Sequence, residues 1–100
     1  MGPCTPMELQ LAIEEERRAR IRLSLAAYAY EFMNENLMTD YDFDELAKRI
    51  RPSIATGHDV MDKFFKEKFE PDTGMWIHDH PELDKLAKLY RRMTIAGRKA

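Results

Sequence analysis

Residues 28–50 read YAYEFMNENLMTDYDFDELAKRI, from Tyr28 to Ile50. The apolar end of one helix runs into Asn34-Glu35-Asn36, which breaks it, and Leu37-Met38 follows as a short apolar clip. Thr39-Asp40-Tyr41-Asp42 then has the composition of a helix start. Threonine is a good N-cap, and carboxylates in a first turn complement the positive end of the helix dipole. Phe43, Leu46, Ala47 and Ile50 fall at i, i+3, i+4 and i+7, predicting an amphipathic helix that Pro52 stops near Arg51. Charge is concentrated in the same stretch. Between Glu31 and Glu45 stand six carboxylates, Glu31, Glu35, Asp40, Asp42, Asp44 and Glu45, and no Lys or Arg occurs before Lys48. Tyr28, Tyr30, Phe32, Tyr41 and Phe43 are interleaved with them.

Toward the N-terminus, Thr5-Pro6-Met7-Glu8 reads as a capping box with proline at the first helical position. No Gly or Pro intervenes before Asn34. A first helix of 29 residues is therefore predicted, about 43 Å long at about 1.5 Å per residue. Residues 1–5 are expected to be disordered. Glu14/Arg18 and Glu16/Arg20 sit at the favourable i, i+4 spacing. After Arg22, the residues Leu23, Leu25, Ala26, Ala27, Tyr28, Ala29, Phe32 and Met33 cover most of the helix circumference, so the other helices are expected to wrap this half.

Toward the C-terminus, Ser53–Ala55 reads as a linker, and Thr56-Gly57-His58-Asp59 starts a third helix in the manner of the second. Val60/Phe64 and Met61/Phe65/Phe69 give it a broad apolar face, with Pro71 at its end. Pro71-Asp72-Thr73-Gly74 predicts a type I turn. Met75-Trp76-Ile77 is expected to be a short extended segment plugging the bundle. Pro81 opens the last helix, where Leu83, Leu86, Ala87 and Tyr90 repeat the helical spacing until Gly97. The expected fold is all-α, a compact four-helix bundle forming one domain over residues 6–96, with 97–100 as a basic tail.

Bulk composition bounds the function. One hundred residues, 44% hydrophobic and 34% charged, suit a single core in a helix-rich protein. A net charge of −2 exerts no global pull toward nucleic acid or anionic lipid. Its distribution is uneven: Pro81–Ala100 carries Lys85, Lys88, Arg91, Arg92, Arg98 and Lys99 against Glu82 and Asp84. Cys4 is the only cysteine, which excludes an internal disulfide and fits a reducing cytoplasm. Residues 1–8 lack a basic n-region, and Ile21–Met33 is too short and too interrupted by Arg22, Ser24 and Glu31 to span a bilayer. The expected location is the cytoplasm, with no membrane contact.

Catalytic and metal-binding patterns are weak. His78-Asp79-His80, with His58 elsewhere, falls short of the three or four ligands that zinc requires. Pro81 behind it favours a polar turn capping the last helix. Ser24 and Ser53 have no base nearby in sequence, and the four glycines are scattered rather than forming a phosphate loop. No metal, cofactor or enzymatic activity is expected. The basic tail lacks interleaved aromatics for stacking bases, so direct nucleic-acid binding is not expected either. Arg17, Arg18 and Arg20 form either a salt-bridged solvated face or a grip for an acidic group. Among the acids, helix-start electrostatics account for Asp40 and Asp42, but Glu31, Glu35, Asp44 and Glu45 are left over. Together with Tyr41 these six define an expected contact face for a partner with a basic surface, such as one built to hold DNA phosphate. Arg17, Arg18 and Arg20 would be its second edge.

Tyr28–Ile50 also resembles, without a gap, the small helical N-terminal module of NAD-dependent bacterial DNA ligases. That module has a tyrosine-rich helix end, a short linker and then D-x-x-Y-D-x-L-x-x-x-L. The resemblance implies a nicotinamide mononucleotide contact set at Tyr30, Asp40 and Asp44, with Phe43 where a tyrosine is expected and Glu31 where a histidine is expected. No K-x-D-G adenylylation motif follows, so the chain is not expected to be a ligase by itself. With D-T-G-x-W-I-H-x-H-P-E-L-D-x-L beyond the hinge, it is similar to small phage-encoded proteins that keep only the ligase-like piece. In size and character it also resembles phage anti-CRISPR inhibitors of multisubunit type I surveillance complexes. These likenesses imply a non-enzymatic phage or prophage protein that acts in the bacterial host cytoplasm and blocks target-DNA binding, or, in the alternative, a nucleotide-binding remnant or accessory protein of DNA ligation.

Overall fold

The structure is a computed structural model that describes residues 6–98, with the side chains of residues 7–93. It is all-helical: α1 (Pro6–Met33), α2 (Asp40–Arg49), α3 (Asp59–Glu67), a 3-10 turn (Met75–Asp79) and α4 (Leu83–Arg98). The four-helix architecture expected from sequence is present. The expected cap at Thr5, the disorder of residues 1–5 and the end of the basic tail lie outside the described residues. Among the described residues no helix is long and apolar enough to cross a membrane.

The first helix is the axis of the molecule. Its 28 residues span about 42 Å at about 1.5 Å per residue, close to the longest dimension of 46 Å. α2, α4 and the 3-10 turn all pack on α1. Burial explains why. Leu23, Ser24, Leu25, Ala26, Ala27 and Ala29 are all buried, so the helix is enclosed on every side over that span. Small alanines there let neighbouring backbones approach, but Phe32 and Met33, expected within the wrapped half, lie past the last packed turn and are exposed, as are Met7, Leu9 and Leu11 at the other end. The chain leaves α1 through Asn34, whose φ of 53° is the left-handed conformation that asparagine tolerates at a helix end.

Thr39 caps α2 as its sequence implies: the Asp42 amide donates to Thr39 Oγ1 at 3.1 Å. Thr39→Ala is expected to cost about 1 kcal/mol of stability. A urea melt followed by circular dichroism measures this directly, and an unchanged midpoint would count against the cap. α2 stops at Arg49, two residues before the expected end, because the Ile50 amide turns back to the Ala47 carbonyl.

The third helix starts differently from the sequence expectation. Its cap is His58, whose side chain accepts from the Met61 amide at 3.4 Å. Gly57, at φ +90°, makes the preceding bend in a region costly for residues with a Cβ. α3 ends at Glu67, not at Pro71. Phe69 nevertheless packs on the core from the following loop, and Val60 remains half exposed. The 75–77 segment is a correction: it is a 3-10 turn, not extended. Its plugging role is retained, since Trp76 and Ile77 are buried. Trp76 sits among Phe64, Phe65 and Phe69 at centroid distances of 6.0, 5.7 and 5.1 Å. α4 begins at Leu83 and runs through Gly97 to Arg98, past the predicted stop.

A buried charge knot ties the α2–α3 loop to the axis. Arg20, on α1, donates through Nε to Glu16 Oε2 at 2.6 Å and through one terminal nitrogen to Asp62 Oδ1 at 2.8 Å. Its other terminal nitrogen reaches the carbonyls of Arg51 and Ile54, both at 3.0 Å. The guanidinium carbon lies 5.1 Å from the Phe65 ring centroid. Glu16 in turn accepts the Arg51 amide. Asp62 accepts the Thr56 amide and hydroxyl, so Thr56 serves this knot instead of capping α3. Burial works to raise the Asp62 carboxyl, but its Thr56 and Arg20 hydrogen bonds outweigh it and hold it below the usual carboxylate range.

Candidate functional site

At the α1–α2 corner the two helices and a distant loop enclose a cleft of about 330 Å³. α1 contributes Tyr30 and Glu31, and α2 contributes Asp40, Phe43 and Asp44. The third wall is the loop Asp72–Gly74. A Cβ built on Gly74 would lie 3.6 Å from the Phe43 ring and 3.9 Å from the Ala27 side chain, which shows how closely that loop seats on both helices.

The spacing on α2 explains its part of the site. Asp40 and Asp44 are one turn apart and share a flank, while Phe43, Leu46 and Ala47 turn inward onto α1. Four carboxylates, Glu31, Asp40, Asp44 and Asp72, thus line one cleft. Only Glu31 has a charged or titratable partner among the described residues: His78 Nε2 lies 2.8 Å from its Oε1. Tyr30 is 60% exposed at the mouth.

The remaining predicted contact residues are placed elsewhere. Tyr41, 71% exposed, and Asp42 stand on α2 outside the cleft. Glu45 is also outside it, 3.8 Å from Lys48 in an exposed pair that contributes little. Glu35 accepts a hydrogen bond from the buried Tyr90 hydroxyl of α4. Tyr28 stacks on Phe32 at 5.2 Å, and the Phe32 ring lies 4.9 Å from His78. Glu31 and Glu35 therefore have internal roles, fastening the end of α1 to the 3-10 turn and to α4.

The arginine edge needs correction. Arg20 is 4% exposed and spends its donors inside the knot, so it presents no charge to a partner. Arg17 and Arg18 are exposed, but they border a different cleft, between α1 and α4. The Glu14/Arg18 pair expected from spacing does not form; Glu14 accepts instead from Gln10 at 3.4 Å.

Sequence reasoning missed His78 and Asp72–Gly74. Asp72 lies 23 residues and His78 29 residues beyond the end of α2, and nothing in their local pattern says which helix they return to. His78 and His80 do not converge. His78 faces Glu31, while His80 is buried with Nδ1 accepting the Glu82 amide at 3.0 Å. Among the described residues no three His, Cys, Asp or Glu side chains cluster as metal ligands. Comparison with protein-family models, curated proteins and solved structures finds no match for this chain.

Proposed function

We propose that this protein is a non-enzymatic binder that engages a basic, nucleic-acid-holding surface of a partner complex through the acidic α1–α2 corner. The observation that carries this reading is the convergence of Glu31, Asp40, Asp44 and Asp72 on one cleft. Asp40, Asp44 and Asp72 find no cation among the described residues, so they are open to an incoming Lys or Arg. Unneutralised acids of one sign in a concave site attract a cationic side chain and repel phosphate. Tyr41, Asp42 and Glu45 extend the negative surface along α2.

The most concrete partner is a type I CRISPR surveillance complex, whose target-DNA channel has the required basic character. Only the size, charge and ligase-like resemblance of the chain favour this version. The purified complex, a labelled target duplex and a competition assay test it. The wild-type chain is expected to displace the DNA, and Asp40→Lys with Asp44→Lys to weaken displacement by about tenfold or more without changing the helical circular dichroism. Undisturbed DNA binding at micromolar wild-type protein would end the proposal.

A second reading has a specific observation in its favour. Tyr30, Asp40, Phe43 and Asp44, the set implied by the ligase resemblance, all line the same cleft. Nicotinamide mononucleotide carries a cationic ring that suits it and a phosphate that does not. Calorimetry with nicotinamide mononucleotide and NAD decides: heat that disappears in the Asp40→Asn/Asp44→Asn double variant supports nucleotide binding, and millimolar silence ends it.

A further inference from the structure

A second, larger cleft of about 570 Å³ lies on another side of α1, between that helix, the start of α3 and α4. Its volume falls in the range of about 300–1,000 Å³ typical of small-molecule sites. The apolar surface comes from Ile21, Met61, Leu86 and Leu89. Two polar groups beside it are unusual. Ser24 is 1% exposed, and its hydroxyl has no hydrogen-bond partner among the described residues. A buried hydroxyl left this way costs about 1–3 kcal/mol and calls for an explanation. His80, 7% exposed, uses Nδ1 as an acceptor for the Glu82 amide. Its neutral ring therefore carries the proton on Nε2, which has no acceptor among the described residues.

Charge at the rim points the same way. Arg17 and Arg18 line the cleft, and no carboxylate lies within ion-pair distance of either among the described residues. Two acids also border it. Glu82 is compensated by Lys85 at 2.6 Å and approached by His58 Nε2 at 3.2 Å, while Glu14 holds only its contact with Gln10. Apart from the Glu14 carboxylate, the polar groups left free are hydrogen-bond donors set beside an apolar wall.

We propose that this cleft binds a small amphipathic monocarboxylate, with its apolar body on Ile21, Met61, Leu86 and Leu89 and its carboxylate toward Arg17 and Arg18. Ser24 and His80 supply further hydrogen-bond donors to the same carboxylate. The body is either a medium-length alkyl chain or an aryl-alkyl group, since both match an aliphatic wall of this size. The site is separate from the acidic corner and does not depend on the function proposed for it.

Amide chemical-shift titrations of the full chain test the proposal with octanoate, 4-phenylbutyrate and the uncharged control octanol. Saturable shifts are expected at Ile21, Ser24, Leu86 and Leu89 with at least one acid, and the tighter acid identifies the chain or the ring as the natural body. Arg17→Gln with Arg18→Gln is expected to weaken the acid about tenfold or more, as loss of charge-assisted hydrogen bonds does. Ser24→Ala is expected to weaken it about threefold to tenfold. Neither variant should melt below the wild type, because neither removes a contact made in the unliganded fold, and Ser24→Ala should melt higher because it removes the unpaired buried hydroxyl. Absence of shifts at millimolar acid, equal binding of octanol, or indifference to the arginine pair would each overturn the site.

Discussion

Arg20→Met is expected to lower the free energy of unfolding by roughly 3–5 kcal/mol, the usual cost of removing one member of a buried charge set. The chemistry behind that size is specific. Glu16 is 4% exposed, and without the guanidinium its carboxylate keeps only the Arg51 amide as donor. Asp62 keeps Thr56, and the carbonyls of Arg51 and Ile54 lose the donor they share. Lysine is a poor substitute, because an ammonium cannot span two carboxylates and two carbonyls in the planar fork that Arg20 uses. Adding Glu16→Gln to Arg20→Met is expected to cost much less than a second full penalty, since the orphaned charge disappears. Urea unfolding read by circular dichroism gives all three numbers. A loss below about 1 kcal/mol for the single variant would show that the knot is peripheral, given total stabilities of about 5–15 kcal/mol for domains of this kind.

Stability is also expected to fall by about 2 kcal/mol between pH 7.5 and pH 5 through His80 alone. Burial lowers this imidazole to about 4 from an ordinary 6.5, against a smaller upward pull from the Glu82 carboxylate. Above the unfolded value both states are neutral and pH has no effect through this group. Between 6.5 and about 4 the unfolded chain takes up the proton and the folded chain refuses it, so acid favours unfolding. Below about 4 the penalty is complete, near 3 kcal/mol at about 1.4 kcal/mol per pH unit. Protonation also removes the Nδ1 acceptor from the Glu82 amide at the start of α4. Asp62 and Glu82 are both held below the usual carboxylate range, Glu82 chiefly by its Lys85 hydrogen bond. Their contributions are lost only at lower pH, beneath this window. His80→Gln keeps a hydrogen-bond acceptor without titrating there, so its stability should vary less between pH 7.5 and 5 by about the same 2 kcal/mol. Parallel pH profiles for the two proteins would refute the assignment.

The two clefts differ in how they arise. The acidic corner draws on one continuous piece of chain for most of its lining, and α2 sets Asp40 beside Asp44 by helical geometry alone. The larger cleft draws on α1, α3 and α4, and its donors are noteworthy only because packing leaves them unmatched. A serine at position 24 among alanines and leucines gives no sign of this in sequence. Burial on every side of α1 removes it from water, and none of the described residues supplies a hydrogen-bond partner.

Local interactions made much of the fold legible without coordinates. The length of α1 follows from the absence of a breaker between Pro6 and Asn34, and its enclosed half from apolar residues at nearly every position after Arg22. Thr39 announced α2 because a cap bonds only three residues ahead. Where two local signals compete, sequence alone misplaced them: Thr56 looks like a cap, yet Asp62 takes its hydroxyl and leaves the role to His58. Met75-Trp76-Ile77 looks extended, yet burying both Trp76 and Ile77 in so short a connection winds it into a 3-10 turn.

Helix number, helix starts and the enclosed stretch of α1 are written in neighbouring residues, because caps, periodicity and breakers act within one or two turns. Whether Arg20 faces solvent or binds four groups, whether Glu31 meets His78, and which loop closes the acidic corner depend on chain segments that return from 30 to 50 residues away. Charged side chains of identical type carry no mark of that difference in sequence. Only close packing decides which of them leave water and which partners they must then find.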